Sequence, residues 1–192
     1  MCGGRGTRLR TGDAGDSEFE KPLVEVDGAS MLSRVIDALR ASDVGTVRAV
    51  VSPHAPVTAE RVGELSVPTI ETPGEGYVSD LRAALDAVGR PVMTVPADLP
   101  LLAPDHVDDA TARARRRGDG LASLTVCVPV ALKRRLGASV DTAFDHEGRE
   151  ITPTGLNVVA DGDDTVALTY DARLAVNVNR VADLELAEAL CG

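Results

Sequence analysis

Three glycines in four positions, Gly3, Gly4 and Gly6, stand with Arg5, Thr7 and Arg8 at the head of this 192-residue chain. Such a loop can turn its N–H groups onto phosphate oxygens without side-chain obstruction. Arg5, Arg8 and Lys21 put positive charge where a triphosphate would rest, and a guanidinium can grip that anion with two bonds. Gly-Gly alone would read as a terminal tail. The added Thr7, Arg8 and a following Lys21-Pro22-Leu23 run point to phosphate binding instead. The run is neither a Walker loop, lacking Gly-Lys-Ser/Thr, nor a Gly-x-Gly-x-x-Gly fingerprint.

The other residues with chemistry to offer fall where apolar runs end. Asp98 follows Val95-Pro96-Ala97, and a carboxylate there either meets a ligand or caps the turn before the next helix. Asn177 and Asn179 stand at the end of the β-branched run 174–178; Asn177 is the better candidate for a site, since Asn179 could cap a helix. Ser52, Thr72, Glu75 and Asp80 lie near two further strand ends, and Gly74 and Gly76 allow close backbone approach there. A loop that merely starts a helix explains them equally well. His54 could border the same pocket, whereas His106 and His146 read as surface residues.

The elements that must position these residues alternate. Short strands are expected at 23–26, 47–51, 68–71, 92–95 and 121–128. Helices are expected at 30–41, 58–65, 77–88, 104–117 and 181–190. The first carries Leu32, Val35, Ile36 and Leu39 at three- and four-residue steps, Pro104 opens the fourth, and Asn179 would cap the last. Residues 137–172, rich in Gly, Thr and Asp, look like a hairpin-bearing insertion. The pattern predicts one α/β domain over 1–192, a three-layer, doubly wound, mostly parallel sheet. Ligands in such sheets bind at the carboxyl ends of the strands.

With these motifs in order, the sequence resembles a known superfamily. Gly-Gly-x-Gly-Thr-Arg with a downstream Lys-Pro is similar to the signature loop of nucleotidyltransferases that move a nucleoside monophosphate from an NTP to a phosphate. Gly76-Tyr77-Val78-Ser79-Asp80-Leu81, Ala97-Asp98-Leu99-Pro100, Gly155-Leu156-Asn157 and Asn177-Val178-Asn179 with Asp183-Leu184 narrow the match. Together they resemble the archaeal GTP:adenosylcobinamide-phosphate guanylyltransferases, within the MobA-like NTP transferase superfamily. The resemblance implies a nucleotide-diphospho-sugar transferase-like, Rossmann-like fold. It implies nucleotide binding by Gly3, Gly4, Arg5, Gly6, Thr7, Arg8, Lys21, Ser52, Thr72, Gly76 and Asp80, with Arg8, Lys21 and Asp98 catalytic. It implies Mg²⁺ at Asp98 and Asn177, and a corrinoid phosphate at Gly155, Leu156, Asn157 and Asn179. Within 152–157 lies the candidate acceptor wall; Arg134 and Arg135 are either further contacts or solvated residues of helix 131–136. The nearest rival is a molybdenum-cofactor guanylyltransferase, which usually carries a Gly-Pro-Leu-type run in place of Gly-Tyr-Val; a rival of another class is a non-catalytic GTP-binding module.

Two departures accompany the resemblance. Family members begin with an aliphatic strand leading into the Gly-Gly loop, so the first strand of the sheet is expected to be missing from this chain. The stretch 11–20 is longer and more acidic than the family loop, and Asp13, Asp16, Glu18 and Glu20 read as solvated charges of a flap.

Composition bounds the partners. With 30 Asp+Glu against 20 Lys+Arg and a net charge of -10, the surface repels nucleic-acid backbones. Aromatics at 2% offer no base-stacking platform. Only Lys21 and Lys133 are lysine, a balance that fits either a halophilic archaeal protein or a GC-rich genome. Cys2, Cys127 and Cys191 have no metal-ligand spacing. The expected partners are GTP and a corrinoid phosphate, with no nucleic acid and no membrane insertion, a cytoplasmic setting, and a homodimer left open.

Overall fold

The computed structural model describes residues 20–115, 120–162 and 164–191. A 3₁₀ turn at Lys21–Leu23 leads into β1 (Glu25–Val26) and β2 (Ala29–Ser30), an antiparallel pair where one strand was expected at 23–26. Pro22 at the start of the turn, and Asp27 and Gly28 with φ of 49° and 75°, fold this stretch back on itself. Then follow α1 (Met31–Ala41), β3 (Ala49–Val51), α2 (Pro56–Glu64), β4 (Thr69–Glu71) and α3 (Tyr77–Val88). The order continues with β5 (Val92–Thr94), α4 (Pro104–Ala114), β6 (Ser123–Pro129), α5 (Val130–Leu136), β7 (Phe144–His146), β8 (Arg149–Val159) and β9 (Asp164–Leu168). A 3₁₀ turn at Ala172–Ala175 and α6 (Val181–Cys191) close it.

Local chemistry sets the helix ends. Ser30 caps α1, its hydroxyl accepting the Ser33 N–H at 3.2 Å, and Met31, Leu32, Val35 and Ile36 are buried on one face. Prolines occupy the first turns of α2 and α4, where no N–H is needed. Glu20 is a correction to the sequence reading: it is 9% exposed and its carboxylate accepts the N–H groups of Val57 and Thr58 at 2.9 and 2.6 Å. The positive end of α2 holds that charge in place. His106 is also buried; Nδ1 accepts the Ala103 N–H at 3.0 Å and Nε2 faces Asp171 Oδ2 at 3.0 Å.

The sheet is mixed rather than mostly parallel. β3 and β4 pair in parallel, and a second sheet runs β5-β8-β6-β9, with β8 antiparallel to both neighbours and β6 parallel to β9. β8 is therefore a central strand, not part of an insertion. Its buried positions include Thr152 and Thr154, polar residues that disguise it in sequence; Thr154 Oγ1 donates to Val126 O at 3.0 Å. Glu147 and Gly148, at φ 53° and 76°, make the tight turn that joins β7 to β8.

Among the described residues no strand pairs with the second edge of β3 or of β5. An apolar cavity of about 550 Å³ lies between them, bordered by Val50, Met93, and Val35 and Leu39 of α1 and Leu81 and Leu85 of α3. The main core packs β6 and β8 against α1 and α4, around Leu99, Val107, Val128 and Leu156. Among the described residues no helix is long and apolar enough to cross a membrane.

Candidate active site

Asp98 sits four residues beyond the end of β5, in a segment fixed by its own backbone: Val178 N–H donates to Asp98 O at 2.9 Å. That bond brings the 177–179 stretch alongside. Its side chain receives two donors. Lys21 Nζ lies 2.5 Å from Oδ2, and Asn177 Nδ2 lies 3.3 Å from Oδ1. Lys21 Nζ also lies 2.5 Å from Asn179 Oδ1. The Lys21 and Asp98 side chains are 13% and 22% exposed, so water screens the pair only in part.

The two asparagines point in opposite senses. Asn177 Nδ2 donates to Thr154 O at 2.9 Å as well as to Asp98, and its oxygen accepts from Lys133 Nζ at 3.2 Å. An ammonium has only donors and a carboxylate only acceptors, so this orientation satisfies all three groups. Asn179 turns its oxygen to Lys21 and its amide nitrogen to Asp141 Oδ2 at 2.9 Å. It does not cap α6. Asp183 holds that helix start instead, its Oδ2 accepting the N–H groups of Asn179 and Arg180 at 3.0 and 2.8 Å.

The oxygen pair that converges on a cation is thus Asp98 Oδ2 with Asn179 Oδ1, the ammonium of Lys21 standing between them. Two hard oxygens on one positive charge match the donors Mg²⁺ prefers, the remaining positions falling to water and substrate phosphates. The expected partner of Asp98 was Asn177, but its oxygen faces Lys133. Among the described residues no group of three His, Cys, Asp or Glu forms a metal cage.

A second set of residues gathers at the ends of β3 and β4. Ser52 is 5% exposed and its hydroxyl has no partner among the described residues. Thr72 bonds Val51 O through both N–H and Oγ1, at 3.0 and 3.1 Å. Asp80, also buried, accepts the Gly74 N–H at 2.9 Å, and His54 Nε2 meets Gly74 O at 3.1 Å. Gly74 needs to be glycine: φ is 75°, and a Cβ would stand 3.0 Å from the His54 ring. Gly76, at φ 116°, leads into α3, whose first residues Tyr77 and Val78 are 54% and 78% exposed. The phenol pKa of Tyr77 is raised, first by burial and then by the charge of Asp98.

Gly3, Gly4, Arg5, Gly6, Thr7 and Arg8 lie outside the described residues, as do Asp13, Asp16 and Glu18. Along 152–157, where the acceptor wall was expected, buried and half-buried residues alternate. Leu156 is fully buried in the core. Gly155 packs on Pro96, whose Cγ would lie 2.6 Å from an added Cβ, and Asn157 Nδ2 folds back onto Gly155 O at 3.0 Å. Arg134 is exposed and pairs with Glu150 at 3.0 Å. Sequence reasoning did not place Lys133, Asp141 and Asp183 at the centre. The one signal for Lys133 was its rarity, one of two lysines in an arginine-rich chain.

A lysine, a carboxylate and an amide oxygen converging at the carboxyl ends of the strands of a wound α/β sheet are suited to holding the phosphates of a nucleotide, and the comparisons define the class: this chain is a nucleotidyltransferase. Residues 1–176 match the MobA-like NTP transferase domain, and the chain belongs to that family. It is 27% identical to the adenosylcobinamide-phosphate guanylyltransferase of Methanocaldococcus jannaschii, over 99% of this chain and 94% of that protein. Among solved structures it is similar to CMP:2-keto-3-deoxy-manno-octonic acid synthetase complexed with CTP (TM-score 0.64, 14% identity, 89% of this chain and 91% of that one). It is similar also to the 2-C-methyl-D-erythritol 4-phosphate cytidylyltransferase of Thermus thermophilus (0.58, 18%, 89% and 93%). It spans 63% of the length of another Thermus thermophilus transferase, which covers 79% of it at TM-score 0.55 and 22% identity.

Proposed function

We propose that this nucleotidyltransferase moves GMP from GTP to adenosylcobinamide phosphate, releasing pyrophosphate, with Mg²⁺ held by Asp98 and Asn179. The observation that carries the reading is the convergence of Asp98 Oδ2 and Asn179 Oδ1 on the Lys21 ammonium. Likeness to a guanylyltransferase along 99% of the chain supports the choice of acceptor, as does the Gly76-Tyr77-Val78-Ser79-Asp80-Leu81 run.

An oxygen of the acceptor phosphate forms a bond to the α-phosphorus of GTP. The bond from that phosphorus to the β-phosphate oxygen breaks, and its electron pair leaves with pyrophosphate. The acceptor needs no general base, because a phosphate monoester with a second pKa of about 6 is already a dianion near neutrality. When bound, Mg²⁺ neutralises the charge that builds up between the reacting phosphates. Lys21, whose ammonium gives up its place between the two oxygens when a metal takes it, contributes a further positive charge beside Asp98, and the Gly3–Gly6 loop with Arg8 would contact the triphosphate. Ser52, Thr72, Gly76 and Asp80 border the guanine. The exposed Tyr77 and Val78 offer a large acceptor an apolar surface.

The test is pyrophosphate release from GTP, ATP, CTP and UTP, each with Mg²⁺ and cobinamide phosphate. GTP is expected to turn over well ahead of the others. Turnover with molybdopterin as acceptor and none with cobinamide phosphate would replace the acceptor assignment.

A further inference from the structure

The chain's second lysine lies where a lysine is hardest to justify by folding alone. Lys133 on α5 is 4% exposed, and its ammonium donates to two uncharged oxygens, Asn177 Oδ1 and Ser139 O, both at 3.2 Å. Burying an ammonium costs stability that neutral partners only partly return. Burial pulls its pKa down, while the charges of Asp183, Asp141 and Asp98 pull it up.

Both of its hydrogen bonds lead to the oxygen pair described above. In one direction Lys133 holds the Asn177 oxygen, and the amide nitrogen of Asn177 is thereby locked between Thr154 O and Asp98 Oδ1. That bond occupies one oxygen of Asp98 and leaves Oδ2 directed at Lys21. In the other direction Lys133 holds Ser139, whose N–H and hydroxyl donate to Asp183 at 2.7 and 2.8 Å. Asp183 in turn accepts the backbone N–H of Asn179, the residue that supplies the second oxygen.

We propose that Lys133 is a positioning residue: through Asn177 and through Ser139–Asp183 it fixes Asp98 Oδ2 and Asn179 Oδ1 on one point, so that they present a preformed cation site. Lys133 touches neither substrate nor cation. Asn177 serves as a donor that orients Asp98, and its neighbour Asn179 as the oxygen ligand, so the Asn-Val-Asn run divides two tasks. The proposal rests on the reading of Asp98 and Asn179 as the cation site, though not on the identity of the acceptor.

The test measures Mn²⁺ binding to the full chain by the loss of the free-ion electron paramagnetic resonance signal, in wild type, Lys133→Met and Lys133→Arg. Groups that orient metal ligands typically change metal affinity about 10–100-fold when removed, and Lys133→Met is expected in that range. GTP affinity without metal should stay near the wild-type value, and Lys133→Arg should recover part of the loss. Asn177→Ala cuts the same link while leaving Lys133 in place and should produce a similar loss. The double variant should be little worse than either single one, as expected when two residues act through one chain of bonds. Folded Lys133→Met or Asn177→Ala protein that binds Mn²⁺ like wild type would overturn the proposal. Wild-type protein that binds Mn²⁺ but releases no pyrophosphate with cobinamide phosphate would count against the proposed reaction alone, because the order of Mn²⁺ affinities is read without turnover.

Discussion

The Asp98 centre and the loop around Gly74–Asp80 differ in how much of their polar chemistry the chain satisfies by itself. At Asp98 both carboxylate oxygens, both asparagine amides and both lysines have partners, and Asp183 ties the backbone behind them. At the ends of β3 and β4 the Ser52 hydroxyl has none among the described residues, and Tyr77 and Val78 turn carbon surface to solvent. One region is organised in advance for charge; the other still has hydrogen-bonding and apolar capacity to give. Preorganised charge suits a step whose rate depends on electrostatics, and unfilled capacity suits recognition.

The largest way to break this contrast is Asp98→Ala. It should lower nucleotidyl transfer by about a thousandfold, since it removes both the cation ligand and the partner of Lys21. Calorimetry should still find GTP binding, weakened only in part. Asp183→Ala should act on the fold that carries the centre. It strips partners from Ser139, Asn179 and Arg180 at a site 1% exposed, so a loss of about 3 kcal/mol in denaturant unfolding is expected.

Ser52→Ala sharpens the other side. Removing a buried hydroxyl that no described residue meets should leave stability unchanged or slightly higher. If that hydroxyl serves GTP, affinity should fall about fivefold, the worth of one ordinary hydrogen bond. The smallest effect is expected far from both regions, at Asp171. Hydrogen bonds from Arg173, with help from His106, hold its carboxyl well below the usual carboxylate range. A depressed folded pKa adds stability above the unfolded value near ~3.9 and loses it as pH falls toward the folded one. Asp171→Asn should therefore lower Tm slightly at pH 7, with the gap to wild type closing as acid titrates the native carboxyl. Pyrophosphate release at neutral pH should not change.

Helices were the most legible part of the fold. α1 and α3 match their three- and four-residue apolar steps, and proline marks the start of α4. β8 was hidden, because hydrogen-bonded threonines and a close-packed glycine replace the apolar alternation that announces a strand. The same blindness to partners misplaced Glu20, buried against the distant Val57 and Thr58 N–H groups, and His106, buried against the Ala103 N–H and the distant Asp171 carboxylate. In the site, Lys21 and Asp98 stood out because they sit in recognisable short motifs. Lys133 and Asp141 reach Asn177 and Asn179 from other elements, across 44 and 38 residues, and no local pattern records such a meeting.

The proposed transfer of a nucleotidyl group to a corrinoid phosphate leaves a label to follow. GTP labelled at the α-phosphate, incubated with Mg²⁺ and cobinamide phosphate, tests it directly. The expected result is label in the corrinoid product, in step with pyrophosphate and dependent on Asp98. Tight GTP binding with all the label retained in GTP, whatever phosphate acceptor is offered, would contradict it.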